Sequence, residues 1–158
     1  MDKIPKENKV IKKKIKKIRK LILKYNLDGY IVPKNDAYFA EYSFPNRLKT
    51  ISNFSGSAGF AIILNNQNYL FVDGRYTLQA KIESGKYFKV IEIPKFWPKN
   101  IFNKYKKKLL IGFDPQLFTN SILKNQFDGI CNLFPIKENF VDLIYKEKNK
   151  SFINIIII

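Results

Sequence analysis

The sequence predicts an α/β domain in which a mixed β-sheet is flanked by helices, and three observations predict it. Short runs rich in β-branched and aromatic residues alternate with segments whose apolar residues recur every three to four positions, so strands and helices take turns along the chain. Two of those runs, Phe60–Leu64 and Tyr69–Val72, are separated only by Asn65-Asn66-Gln67-Asn68, a composition that folds a chain back on itself, so one strand pair is antiparallel. The 158 residues are 46% hydrophobic and 27% charged, which is enough to bury one core and too apolar for a disordered chain.

The elements follow in order. Lys6–Tyr25 is expected to be helical, because Val10, Ile11, Ile15, Ile18, Leu21, Ile22 and Tyr25 share helical spacing and most other positions are lysine. A basic amphipathic helix can also lie on a membrane or meet calmodulin. This one lacks the Trp and Phe that interfacial anchors favour, so covering a core is the preferred role. Asn26–Gly29 breaks it, and Tyr30-Ile31-Val32 reads as a strand ended by Pro33. Asp36–Tyr42 is expected to start a short helical segment at an Asx cap, stopped by Pro45. After the hairpin comes a helix from about Gly74 to Glu83 capped by Asp73, then a strand at Lys89–Ile93. Beyond the loop Pro94–Pro98 the expectation is a basic helical stretch near Ile101–Lys107, a strand at Leu109–Gly112, a helix at Thr119–Asn125 and a strand at Cys131–Phe134. Residues 1–147 are expected to form the folded domain. In residues 148–158 the apolar Phe152–Ile158 follows the polar Lys146–Lys150 like a strand with nothing to pair against, the sign of a truncated tail or of a next domain beginning.

Composition excludes several functions. The chain has no histidine, so the usual serine and cysteine triads lack their base and most catalytic zinc sites lack a ligand. The single Cys131 cannot form an internal disulfide, and no apolar leader follows the early lysines, both pointing to the cytoplasm. No apolar run is long enough to span a bilayer, so no membrane partner is expected. Asp36, Glu41, Asp73, Asp114 and Asp128 show no calcium-loop spacing, so no metal site is expected within this chain. The formal net charge of +16 has two readings, attraction to nucleic acid or an anionic surface, and codon drift in an AT-rich genome. Abundant Lys, Asn, Ile, Phe and Tyr favour drift, and the scatter of the lysines argues against a nucleic-acid module, which stays as the alternative.

Two motifs carry local chemistry. Ser55-Gly56-Ser57-Ala58-Gly59 could cradle a phosphate, but no Gly-Lys-Ser/Thr follows and the loop leads into a strand, so a tight structural turn is preferred. Asp73-Gly74-Arg75-Tyr76 sits between a strand and a helix, with Arg75 in the first helical turn. A cation there opposes the helix macrodipole and calls for a carboxylate or a bound anion. A surface ion pair and an anion-binding arginine carry equal weight on this ground alone.

Asp28-Gly29-Tyr30-Ile31-Val32-Pro33, Asp36-Ala37 with Glu41-Tyr42, Phe54 with Gly56-Ser57-Ala58-Gly59, and Asp73-Gly74-Arg75-Tyr76 with Leu78-Gln79-Ala80 together resemble the amino-terminal, creatinase-like domain of the three-domain Xaa-Pro aminopeptidases, the aminopeptidase P branch of the creatinase/prolidase family. Ile111-Gly112-Phe113-Asp114-Pro115 and the segment Pro135–Tyr145 agree. The resemblance implies the creatinase/prolidase N-terminal type of fold and a parent peptidase that removes the residue preceding a proline in second position. It implies two divalent metals, typically manganese, in a C-terminal catalytic domain outside this chain, with no cofactor here. It implies that this chain is inactive alone and that Arg75 contacts substrate. Family members usually dimerise through the catalytic domain, which leaves the oligomeric state of this piece open. Many relatives carry His after Asp-Ala where Tyr38 stands here.

Overall fold

A computed structural model describes residues 6–34 and 46–145. The short helix expected at Asp36–Tyr42, Tyr38 within it, and the boundary and tail expected from 147 onward lie outside the described residues.

Helix α1 (Lys6–Lys24) forms where the isoleucine periodicity predicts it. Ile11, Ile15, Ile18 and Ile22 are at most 5% exposed, and burying each stabilises the fold by roughly 1.5–3 kcal/mol. The helix stops at Asn26, whose φ of 57° is left-handed, while Leu27 donates its N–H back to the Ile22 carbonyl at 2.9 Å. That closure satisfies a carbonyl the helix end would otherwise orphan, and Asn tolerates the conformation better than most residues.

Strands β1 (Gly29–Pro33), β2 (Phe60–Leu64), β3 (Asn68–Asp73), β4 (Lys89–Ile93), β5 (Leu110–Phe113) and β6 (Asn132–Pro135) form one six-stranded sheet in the order β4-β3-β2-β1-β5-β6. β2 pairs antiparallel with both β1 and β3, whereas β3–β4, β1–β5 and β5–β6 are parallel. The sheet is therefore mixed, as expected. Because side chains alternate along a strand, Tyr30, Val32, Ala61, Ile63, Leu70 and Val72 enter one core with the α1 isoleucines. Ile31, Ile62, Leu64, Tyr69 and Phe71 enter a second core on the other face. Continuous apolar runs in β1 to β3 are thus explained by burial on both sides. α2 (Arg47–Ser52) and residues 140–145, which are helical, contribute Leu48, Ile51, Phe140, Val141 and Ile144 to the first core. α3 (Thr77–Ser84) adds Ala80 to it. α4 (Pro98–Phe102) and α5 (Asn120–Phe127) supply Ile101, Phe102 and Phe127 to the second.

Two expectations are corrected. The helix expected over Gly74–Glu83 divides into a 3-10 turn at Gly74–Tyr76 and α3 from Thr77. The stretch expected to be helical at Ile101–Lys107 keeps only Ile101 and Phe102, in α4, while residues 103–107 turn. Pro98 opens α4, but Lys104 and Lys108 would stand one turn apart with like charge, and Lys107 reaches Asp28 at 3.2 Å instead. Two helical segments were not anticipated, α2 and residues 140–145. Each starts at an asparagine cap: Asn46 accepts the Lys49 N–H at 3.1 Å, and Asn139 the Val141 N–H at 2.9 Å.

Candidate functional site

The motifs that are scattered in sequence meet at the loop joining α2 to β2. α2 ends at Asn53, with φ 67° and its N–H on the Lys49 carbonyl. The Ser52 hydroxyl donates to Leu48 O at 2.6 Å and accepts the Phe54 N–H at 3.1 Å, and Ser84 of α3 donates to the Ser52 carbonyl. Phe54 is thereby driven fully into the core. A Cβ on Gly56 would lie 2.2 Å from Phe54 Cζ, and one on Gly59, at φ 154°, would meet the Phe71 carbonyl at 3.0 Å. Both glycines are packing requirements of the turn, and the phosphate-cradle reading is not needed to explain them.

The same loop is bonded to the Asp73-Gly74-Arg75-Tyr76 segment and to α3. Ser57 and Tyr76 share a hydroxyl–hydroxyl hydrogen bond, and the Phe54 and Tyr76 rings meet edge-on at 6.0 Å. Glu83 accepts the Ser55 N–H at 3.0 Å and its hydroxyl at 2.7 Å. Gln79 donates to both Ser55 Oγ and Glu83 Oε1. Gln79, quoted for the resemblance only as part of a string, is thus a brace between loop and helix.

Arg75 stands at the edge of this network. Asp73 Oδ1 caps the 3-10 turn through the Arg75 N–H at 2.9 Å and also receives Arg75 Nε at 3.2 Å, while Oδ2 takes Nη2 at 3.0 Å. The guanidinium hydrogen bond holds the Asp73 carboxyl below its ordinary value, and Asp73 in turn raises Arg75. The guanidinium carbon sits 5.2 Å from the Tyr76 ring centroid, and the Arg75 side chain is 76% exposed. The carboxylate that a cation in this turn calls for is therefore the cap itself. An open groove of about 580 Å³ lies elsewhere, between α4 and the end of α5, lined by Trp97, Lys99, Asn103, Gln126 and Asp128 among others. Arg75 does not line it.

Three other carboxylates serve the fold. Asp28 accepts the Leu110 N–H and Lys107, Asp114 the Gln116 N–H and the buried Asn139 amide, and Asp142 a forked pair from Arg47 at 2.9 and 3.0 Å. Among the described residues no three His, Cys, Asp or Glu side chains converge. This donor set, without histidine, does not fit a dinuclear metal centre. No helix among the described residues is long and apolar enough to cross a membrane.

Residues 14–143 match the family model of the creatinase/prolidase N-terminal domain. A probable Xaa-Pro aminopeptidase P of Laccaria bicolor is 32% identical over 149 residues, covering 87% of this chain and 23% of that relative. Xaa-Pro aminopeptidase 1 of Dictyostelium discoideum is 32% identical over 153 residues, covering 91% of this chain and 23% of its own length. The chain thus spans about a quarter of the length of the curated relatives it matches. In structure it is similar to an X-prolyl aminopeptidase of Caenorhabditis elegans, described as a cytosolic enzyme with a di-nuclear active site, with a TM-score of 0.76 and 24% identity over 86% of this chain and 26% of that one. Family match and similarity of fold agree, and the chain belongs to the creatinase/prolidase N-terminal domain family.

Proposed function

We propose that this chain is the substrate-positioning, non-catalytic domain of a metal-dependent Xaa-Pro aminopeptidase, acting in the cytoplasm on peptides with proline in second position. The relatives' names supply the activity. The observation that carries the role is the cross-bonded loop: Ser55, Ser57, Gln79, Tyr76 and Glu83 fix the backbone on which Arg75 is presented, exposed, at the domain edge. A guanidinium so placed offers forked donors to the carboxylate or carbonyl oxygens of a peptide. The two divalent metals, manganese in this reading, belong to a C-terminal domain outside this chain, which also forms the homodimer. That domain supplies the water activation that cleaves the peptide bond, and this chain binds and orients.

The purified 158-residue chain is expected to release no amino-terminal residue from an Ala-Pro-Ala peptide with manganese added, and metal-dependent turnover by it alone refutes the reading. In a longer enzyme carrying this domain, Arg75→Ala is expected to lower kcat/KM by about ten- to a hundredfold, the loss of a charge-assisted contact, with an unchanged Tm. Unchanged kinetics would return Arg75 to the role of a surface partner for Asp73.

A further inference from the structure

We infer that the outer face of α3 is the surface on which the metal-binding domain of the parent peptidase docks, with Leu78 and Ile82 as its apolar anchors. The inference rests on the substrate-contact reading of Arg75 and names the partner that reading requires.

α3 turns Ala80 and Ser84 into the core, where they are 0% and 5% exposed, and leaves Leu78 72% and Ile82 76% exposed. Gln79 and Glu83 are spent on the Ser55 loop, so they define the flank of the helix. Leu78 and Ile82 are four residues apart, one above the other on the helix, and the 3-10 turn that carries Arg75 leads directly into the end of α3 nearer Leu78. Among the described residues, the other exposed large hydrophobics are Val10, Leu23, Phe96, Phe134 and Tyr145. No two of those stand one helical turn apart, and single exposed apolar residues need no explanation.

Distance sets the occupant. For Arg75 to touch a peptide held by another domain, that domain must come within one side chain of residue 75. An interdomain contact typically has a footprint of about 10–15 Å radius. Leu78 is the second residue of α3 and Ile82 lies about 6 Å beyond it along the helix, so a footprint of that size reaching from Arg75 over α3 takes in both. An apolar centre with a polar rim is the usual anatomy of a contact, and the exposed Lys81 of α3 flanks the pair. A second copy of this chain is a poor occupant. Two side chains cover far less than the roughly 800 Å² per partner of a free complex, and two copies each of formal charge +16 repel one another. The complementary surface is therefore an apolar patch rimmed by acidic side chains.

The test is hydrogen–deuterium exchange at residues 77–84, in the free 158-residue chain and in a chimera where residues 1–145 replace the matching segment of the Laccaria relative, with manganese present. Expected is a slowing of at least about tenfold in the chimera, no change at residues 9–24, and return to the free-chain rate on Leu78→Ser with Ile82→Ser. Protection at 77–84 without Xaa-Pro hydrolysis supports docking while refuting the proposed activity. Exchange equal to that of the free chain overturns docking, and does so independently of activity where the chimera still hydrolyses Xaa-Pro peptides. Dimerisation of the free chain that the double substitution abolishes, read by sedimentation, overturns the choice of occupant.

Discussion

Replacing Gly56 by alanine tests whether the loop beneath Arg75 is held by packing. The added Cβ would stand 2.2 Å from Phe54 Cζ and 2.8 Å from both Cε atoms, where carbon atoms prefer 3.5–4.0 Å. The ring has little room to retreat, since Phe54 is fully buried and edge-on to Tyr76. Gly56→Ala should therefore cost about 1–3 kcal/mol, the ordinary penalty of overpacking. Phe54→Ala should cost about 3–5 kcal/mol by transfer and cavity. In the Phe54→Ala background the collision is gone, and because Gly56 does not need a left-handed φ, alanine there should be neutral or stabilising by up to about 1 kcal/mol through the unfolded chain. The double-mutant cycle read from urea denaturation should then show a coupling of about 1–4 kcal/mol. Additivity within about 0.5 kcal/mol would refute the claim that Gly56 exists to seat Phe54.

The Arg47–Asp142 pair and the buried thiol give two further expectations. Arg47 is 13% exposed with Asp142 at 37%, and Arg47 Nη1 is buried without a hydrogen-bond partner among the described residues. Asp142→Ala should therefore destabilise by about 1–3 kcal/mol, below the cost for a fully buried pair because the carboxylate keeps solvent, whereas Arg47→Met should stay within about 1 kcal/mol. Equal losses in urea titrations would show that the guanidinium is not the strained partner. Burial pushes the Cys131 thiol up to about 11, against a smaller opposing pull from Lys108. At pH 8 its thiolate fraction should be about a hundredfold below that of an ordinary thiol, so iodoacetamide should label the native chain at least that much more slowly than the denatured one. Rapid native labelling would contradict the packing around Cys131.

The centre of the sheet was legible because β1 to β3 are apolar on both faces, and the runs at Tyr30–Val32 and Phe60–Leu64 needed no partner to be recognised. α1 was legible from its isoleucine spacing. α2 was not: six residues hold too few turns for periodicity to register, and only the Asn46 cap with Leu48 and Ile51 at i, i+3 marks it. The basic stretch after Phe102 misled because lysine is a good helix former, while Lys107 has its charge partner, Asp28, elsewhere in the fold. In the site, the need of Arg75 for a carboxylate followed from helix electrostatics. That Asp73 would act as both cap and counter-ion did not, since one oxygen serving two donors is a matter of geometry. Nor could order along the chain show that Ser57 meets Tyr76 or Ser55 meets Glu83, 19 and 28 residues away.

The margins of the sheet bear on how copies of the domain behave when crowded. At one border β4 begins with exposed Lys89, and at the other β6 is four residues long and finishes at Pro135, which has no amide hydrogen to lend. A foreign strand laid against either border meets a charge or a missing donor within a few residues, the devices by which natural sheets resist recruitment into fibrils.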